Sequence, residues 1–158
     1  MLQYRQSWCS FDLGELLDEV ARVLQGRLKA QAIRAVFDIP DHHQMHGDRK
    51  LLRQAIENML LAAVTSMPRG GMLFVTSIAV HEGIDLEIAD SGPAMSEHGL
   101  RHAFDPEGNG ERGNGWSMAL VRHAAELHGG TVTVANCPDG GVALTLRLPR
   151  SVALEAVA

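Results

Sequence analysis

The sequence predicts an α+β two-layer sandwich, a mixed and mainly antiparallel sheet covered on one face by three helices. Three observations lead there. Apolar residues recur at helical spacing in three separate stretches, and strand-like runs come as two hairpin pairs. The order along the chain is helix, strand, helix, two strands, long loop, helix, two strands. A length of 158 residues fits one domain with a substantial core.

Leu13, Leu16, Leu17, Val20, Leu24 and Leu28 repeat along one face and predict the first helix, with Arg22, Arg27 and Lys29 on its remainder. Residues before Phe11 are polar and aromatic without a period, so 1–10 reads as a lead-in from an upstream segment. The domain proper is expected over 11–150, and 151–158 as a tail. Ile33 to Ile39 predicts a strand, ended by Pro40. Asp41 to Gly47 reads as a loop or short strand whose histidines, His42, His43 and His46, are expected in solvent rather than on a metal.

Asp48 is placed to cap a second helix whose apolar positions are Leu51, Leu52, Ile56, Leu60 and Ala63, stopped by Pro68-Arg69-Gly70-Gly71. Met72 to Val80 and Ile84 to Ala89 predict a hairpin through His81-Glu82-Gly83. Asp90 to Asn114 is rich in glycine and charge, with a short helix near Glu97 to Ala103; a loop of that length in a compact domain points to function. A third helix is expected over Gly115 to Leu127, closed by Gly129-Gly130. Two final strands, Thr131 to Ala135 and Val142 to Leu148, flank Pro138-Asp139-Gly140-Gly141. His123 and His128 read as structural, with His128 at a helix C-terminus, where a cation is favoured.

Composition narrows the function. Hydrophobic residues make up 46% and charged residues 21%, with a net charge of −5; this excludes a general nucleic-acid or membrane-surface binder but leaves room for a local phosphate site. Cys9 and Cys137 fit no metal or redox spacing, which points to free thiols in a reducing compartment. No apolar run is long enough to span a bilayer, so a cytoplasmic domain without direct membrane contact is expected.

Two stretches carry chemistry. Asp90-Ser91-Gly92-Pro93-Ala94-Met95 puts a carboxylate at the end of an apolar strand beside a turn. Gly113-Asn114-Gly115-Trp116-Ser117-Met118 runs glycines into a helix N-terminus, where unpaired amides and the dipole favour anions. Together they predict a nucleotide pocket. Asp90 has a plainer role open to it as the cap of a post-strand turn, and Asn58 as a polar residue bonding within the core.

In this order and spacing the motifs resemble the ATP-binding catalytic domain of sensor histidine kinases, in the GHKL superfamily shared with gyrase and the mismatch-repair ATPases. Phe11-Asp12-Leu13-Gly14-Glu15-Leu16-Leu17 is similar to the entry segment, and Asp48-Arg49-Lys50-Leu51-Leu52-Arg53-Gln54 to the start of the nucleotide-contacting helix. Asp90-Ser91-Gly92 resembles the first glycine box, Phe104-Asp105-Pro106 the lid phenylalanine box, and Gly113-Asn114-Gly115 the second glycine box. Leu127-His128-Gly129-Gly130-Thr131-Val132 is similar to the end of the last helix.

The resemblance implies the GHKL ATPase fold, ATP as ligand and Mg2+ as its usual companion. It implies that Asp90 accepts from the adenine amino group, that Gly92 and Ala94 lie beside the base, and that Gly113, Gly115 and Ser117 lead phosphates to helix amides. Arg112 is a phosphate partner by charge, and Asn58 matches the first of two helix asparagines. Several positions depart from the family. The second asparagine, which holds the metal, is Ala62 here, and the basic residue one turn on is Thr65. The second glycine of the first box is Ala94, and Trp116 and Ser117 replace smaller residues of the second box.

The expected partners are an upstream dimerisation and phosphoacceptor domain and a response regulator, since the chain carries no such histidine-bearing hairpin. Two functions follow: a kinase domain supplying the γ-phosphate to that histidine, or a pseudokinase that docks or regulates and binds nucleotide weakly or not at all.

Overall fold

The computed structural model describes residues 7–40, 43–106 and 115–149. The elements are β1 (Trp8–Asp12), α1 (Leu13–Ala30), β2 (Ile33–Asp38), β3 (Gln44–Asp48), α2 (Arg49–Thr65), β4 (Gly71–Val80), β5 (Gly83–Asp90), α3 (Glu97–His102), α4 (Gly115–Leu127), β6 (Thr131–Asn136) and β7 (Val142–Pro149). Five strands form one sheet in the order β2-β4-β5-β7-β6. Only the β2–β4 pairing is parallel; the other three are antiparallel. The predicted fold class is therefore observed.

Helices cover one face because the strands alternate. Leu73, Val75, Ser77, Ile84, Leu86, Ile88, Leu144, Leu146 and Leu148 are buried, whereas Phe74, Ile78 and Arg147, on the alternate positions, are exposed. Against the buried side α1 sets the whole stripe predicted from its sequence, Leu13 through Leu28. From α2 come Leu52, Ile56, Met59, Leu60 and Ala63, and from α4 Met118, Val121, Ala124 and Ala125, all in one apolar cluster. Asp12 and Asp48 cap α1 and α2, each accepting a backbone amide three residues on. Between the two helices, Glu19 meets Arg49 and Arg53, and the Arg49 bond holds its carboxyl below the usual carboxylate range.

Two expectations are corrected. The lead-in contains β1, which pairs antiparallel with β3 as a separate two-stranded ribbon. Its single buried residue, Phe11, lies opposite Met45 and gives no alternation for a sequence reading to detect. The second correction concerns histidines. His43 is buried, with Nδ1 at 2.7 Å from the Ser77 hydroxyl; His46 is exposed as expected, and His42 lies outside the described residues.

His128 is structural, as expected, but its ring is not a helix-end cation. The helix does stop as predicted: Gly129 has φ +72°, Gly130 N–H donates to Ala125 O at 2.8 Å, and Gly129 N–H to Glu126 O at 3.0 Å, a Schellman ending. Yet His128 Nε2 accepts the Asp48 amide at 2.9 Å, and Nδ1 lies 2.7 Å from Ala124 O. An acceptor nitrogen carries no proton, so the ring is the neutral Nδ1–H tautomer. Trp8 stacks on it at 4.9 Å between centroids. The charged group acting on it is Asp48.

Burial lowers the His128 pKa from its ordinary 6.5, against opposing contributions from the Ala124 carbonyl and the Asp48 charge. The unfolded chain then binds more protons than the folded one as the pH falls through that value. Stability is expected to be fully present above pH about 6.5 and to decline below it, and urea titrations of the parent and His128→Gln across that range should show the decline weakened in the variant.

Candidate functional site

The bond between Asp48 and His128 joins the start of α2 to the end of α4, and the two helices pack along each other, so they run antiparallel. At about 1.5 Å per residue, Ala62 lies roughly 21 Å along α2 from Asp48, and Gly115 roughly 20 Å back along α4 from His128. The N-terminus of α4 therefore comes level with Ala62. Asn58 lies one turn earlier on α2 and is half-buried, while Ala62 is 2% exposed.

Asp90 is delivered to the same end. It is the last residue of β5, 5% exposed, and its Oδ1 accepts the Gly92 amide at 2.9 Å. The turn that follows is tied to three neighbours. Ser91 exchanges bonds with Met72, its N–H donating to Met72 O at 3.1 Å and its Oγ accepting the Met72 amide at 2.8 Å. Gly92 lies against the C-cap of α2: a Cβ there would stand 2.8 Å from both Ser66 O and Ser66 Oγ, and 3.1 Å from Asp90 Oδ1. Gly141, in the β6–β7 turn with φ +88°, packs so closely that a Cβ would meet Asp90 O at 1.8 Å. The glycine of the first box is thus required by the backbone of α2, whatever lies beside it in a complex.

Beyond the turn, Met95 is bonded twice to Asn136 and contacts Ala103 and Val142. Ser96 caps α3 by accepting the Gly99 amide at 3.0 Å. Phe104 packs against both this small cluster and the main core. Cys137, at the β6–β7 turn, has its thiol pKa pushed up by burial first and then by Glu87, Asp90 and Asp139. It is therefore poorly disposed to react.

The structure thus brings Asp90, Gly92, Ala94, Asn58, Ala62 and the Gly115 end of α4 to one end of the helical layer. Ser117 lies in the first turn of α4. Arg112 and Gly113 lie outside the described residues. Sequence reasoning missed Ser66, Gly141 and Asn136, which position the Asp90 turn. A glycine pair in a hairpin could have flagged Gly141, but no local signal marks the other two. Among the described residues, no cluster of histidine, cysteine, aspartate and glutamate is arranged to hold a metal ion, and no helix is long and apolar enough to cross a membrane.

Comparison with known proteins decides the family. Residues 47–152 match the family described as histidine kinase-, DNA gyrase B- and HSP90-like ATPases. The chain belongs to this family. As a member of the histidine kinase ATPases it is 30% identical over 145 residues to the signal transduction histidine-protein kinase BaeS of Escherichia coli, covering 87% of this chain and 31% of BaeS. It is 29% identical to the histidine protein kinase DivJ of Caulobacter vibrioides, covering 88% of this chain and 24% of DivJ. The chain thus spans less than a third of the length of these curated relatives.

Solved structures agree on the fold. The ATP-binding domain of PrrB from Mycobacterium tuberculosis matches with TM-score 0.72 at 27% identity, over 92% of this chain and 98% of that one. The catalytic domain of the histidine kinase ThkA matches with TM-score 0.84 at 21% identity, over 90% of this chain and 95% of that one. This histidine kinase ATPase chain is accordingly an ATP-binding domain of the sensor-kinase type.

Gly92→Ala is expected to lower stability by about 1–3 kcal/mol, the usual cost of forcing a methyl into a packed site. Urea denaturation should show this as a shifted midpoint with an unchanged slope.

Proposed function

We propose that this domain binds ATP at the Asp90 end of the helical layer and, within a two-component sensor histidine kinase, supplies the γ-phosphate to a histidine on a separate dimerisation domain. The carrying observation is the buried Asp90 carboxylate, held by the Gly92 amide at the end of the molecule where α4 begins. In this proposal the carboxylate accepts from the adenine amino group, which a guanine carbonyl could not satisfy. Gly92 and Ala94 line the base. Gly113, Gly115 and Ser117 lead the phosphates to the first amides of α4, where the dipole favours anions. Arg112 adds charge, and Asn58 faces the phosphate end.

Relatives support the proposal within what is known of them. ShkA, sharing this fold at 24% identity, is solved full-length with AMPPNP, and ThkA is solved with the response regulator protein TrrA. The proposed partners here are correspondingly an upstream phosphoacceptor domain and a response regulator, in the cytoplasm.

One observation favours a second function. The family's Mg2+ ligand position is Ala62, a methyl that is 2% exposed and part of the core. A methyl cannot ligate a hard cation. The residues present therefore do not fit the usual metal. A pseudokinase, docking or regulating without turnover, follows from that substitution; adenine recognition through Asp90 is compatible with it.

Calorimetric titration with ATP and ADP, with and without Mg2+, separates the two. Tightening by tenfold or more with Mg2+ supports the phosphoryl donor, with another ligand in place of Ala62; Mg2+-indifferent binding supports the pseudokinase; no binding at millimolar nucleotide sinks the kinase proposal. Asp90→Asn keeps an acceptor for Gly92 but loses the charge, and should weaken ATP binding about tenfold or more, as for a bond to a charged group. Ala62→Asn should increase the Mg2+ dependence if the rest of the pocket is sound; an unchanged titration would place the defect at Ala94 or Trp116.

A further inference from the structure

Asn136 does for the turn after β5 what a neighbouring strand would do. Its Nδ2 donates to the Met95 carbonyl and its Oδ1 accepts the Met95 amide, each at 2.8 Å. One side-chain amide thus satisfies both backbone groups of a residue 41 positions away. Asn136 is the last residue of β6, opposite Val142 of β7. It is exposed, so it adds little to the apolar core. What it fixes is Met95.

Met95 stands at a junction. Its side chain is buried against Ala103 and Val142, with Leu100, Phe104 and Val134 packed around them. Before it lies the turn with Asp90, Gly92 and Ala94; after it comes Ser96, the cap of α3. The first half of the turn is already held from the other side, by Met72 and Ser66. Pro93 and Ala94 are exposed, and the Asn136 pair is a polar tie that reaches the far end of this stretch.

We propose that Asn136 is a positioning residue for nucleotide binding: it pre-orders Gly92 to Met95, the wall beside the base, together with the start of α3. The inference rests on the nucleotide site described under Proposed function. Its physical basis is entropy. Without Asn136 the Met95 amide and carbonyl can turn to water at little cost to the fold, but the freed segment must be ordered again whenever a ligand packs against it. The loss therefore falls on affinity more than on stability.

The test compares the parent chain with Asn136→Ala and Asn136→Asp, reading ATP and ADP binding by calorimetry, thermal midpoint, and hydrogen exchange at the Met95 amide. Asn136→Ala should weaken nucleotide binding about tenfold or more, the order expected when the backbone of about one residue must be fixed again on binding. The Met95 amide should exchange faster while amides of β4 and β5 stay protected. In Asn136→Asp a carboxylate still accepts the Met95 amide but opposes its carbonyl, and a proton restores the donor. Its affinity relative to Asn136→Ala should therefore rise as the pH is lowered from about 7.5 towards 5. A parent that binds while Asn136→Ala binds within twofold of it overturns the inference alone, as does a lowered midpoint with unchanged affinity or a flat pH ratio. A parent that binds no nucleotide overturns the nucleotide site and this inference together.

Discussion

The Asp48 amide starts α2, and the imidazole that accepts its hydrogen ends α4. That one bond sets the two helices antiparallel and fixes their relative level, and both have most of their apolar side chains committed to a single core. Once their far ends are joined, the near ends have no freedom to slide: the N-terminus of α4 must stand beside the last turns of α2. The stack of Trp8 on His128 brings the β1–β3 ribbon into the same arrangement. A protonated His128 could not accept the Asp48 amide, so the arrangement requires a neutral ring, and burial keeps it so.

At the near end, the site is assembled from backbone approach rather than from side-chain reach. Gly92 touches the cap of α2, and Gly141 touches the carbonyl of Asp90, at distances no Cβ would permit. These contacts bring the end of β5, the end of α2 and the β6–β7 turn into one corner. The carboxylate there is buried but held by an amide, which limits the cost of taking a charge out of water. Ala62, 2% exposed, adds only a methyl to the same end of the layer, and a methyl cannot ligate a hard cation.

Much of this was legible in the chain. The leucine stripe of α1, the cap at Asp48, the glycine stop after His128 and the two hairpins are local events, each set by periodicity or turn chemistry within a few residues. The Asp90 turn was legible as well, because a carboxylate followed by serine and glycine after an apolar strand is a short-range pattern. What escaped was long-range. β1 has one buried residue and no alternation, so only its partner β3 makes it a strand. His43 reads as a solvent histidine in a polar loop, and only the fold brings Ser77 to it.

The sequence by itself determined the fold class and the family, because these depend on residue type, order and spacing. Tertiary structure alone decided the charge state of His128, the reason Gly92 must be glycine, and the pairing of Asn136 with Met95. Each of those depends on an approach between segments distant in the chain, and the groups they bring together carry no local mark of their partners.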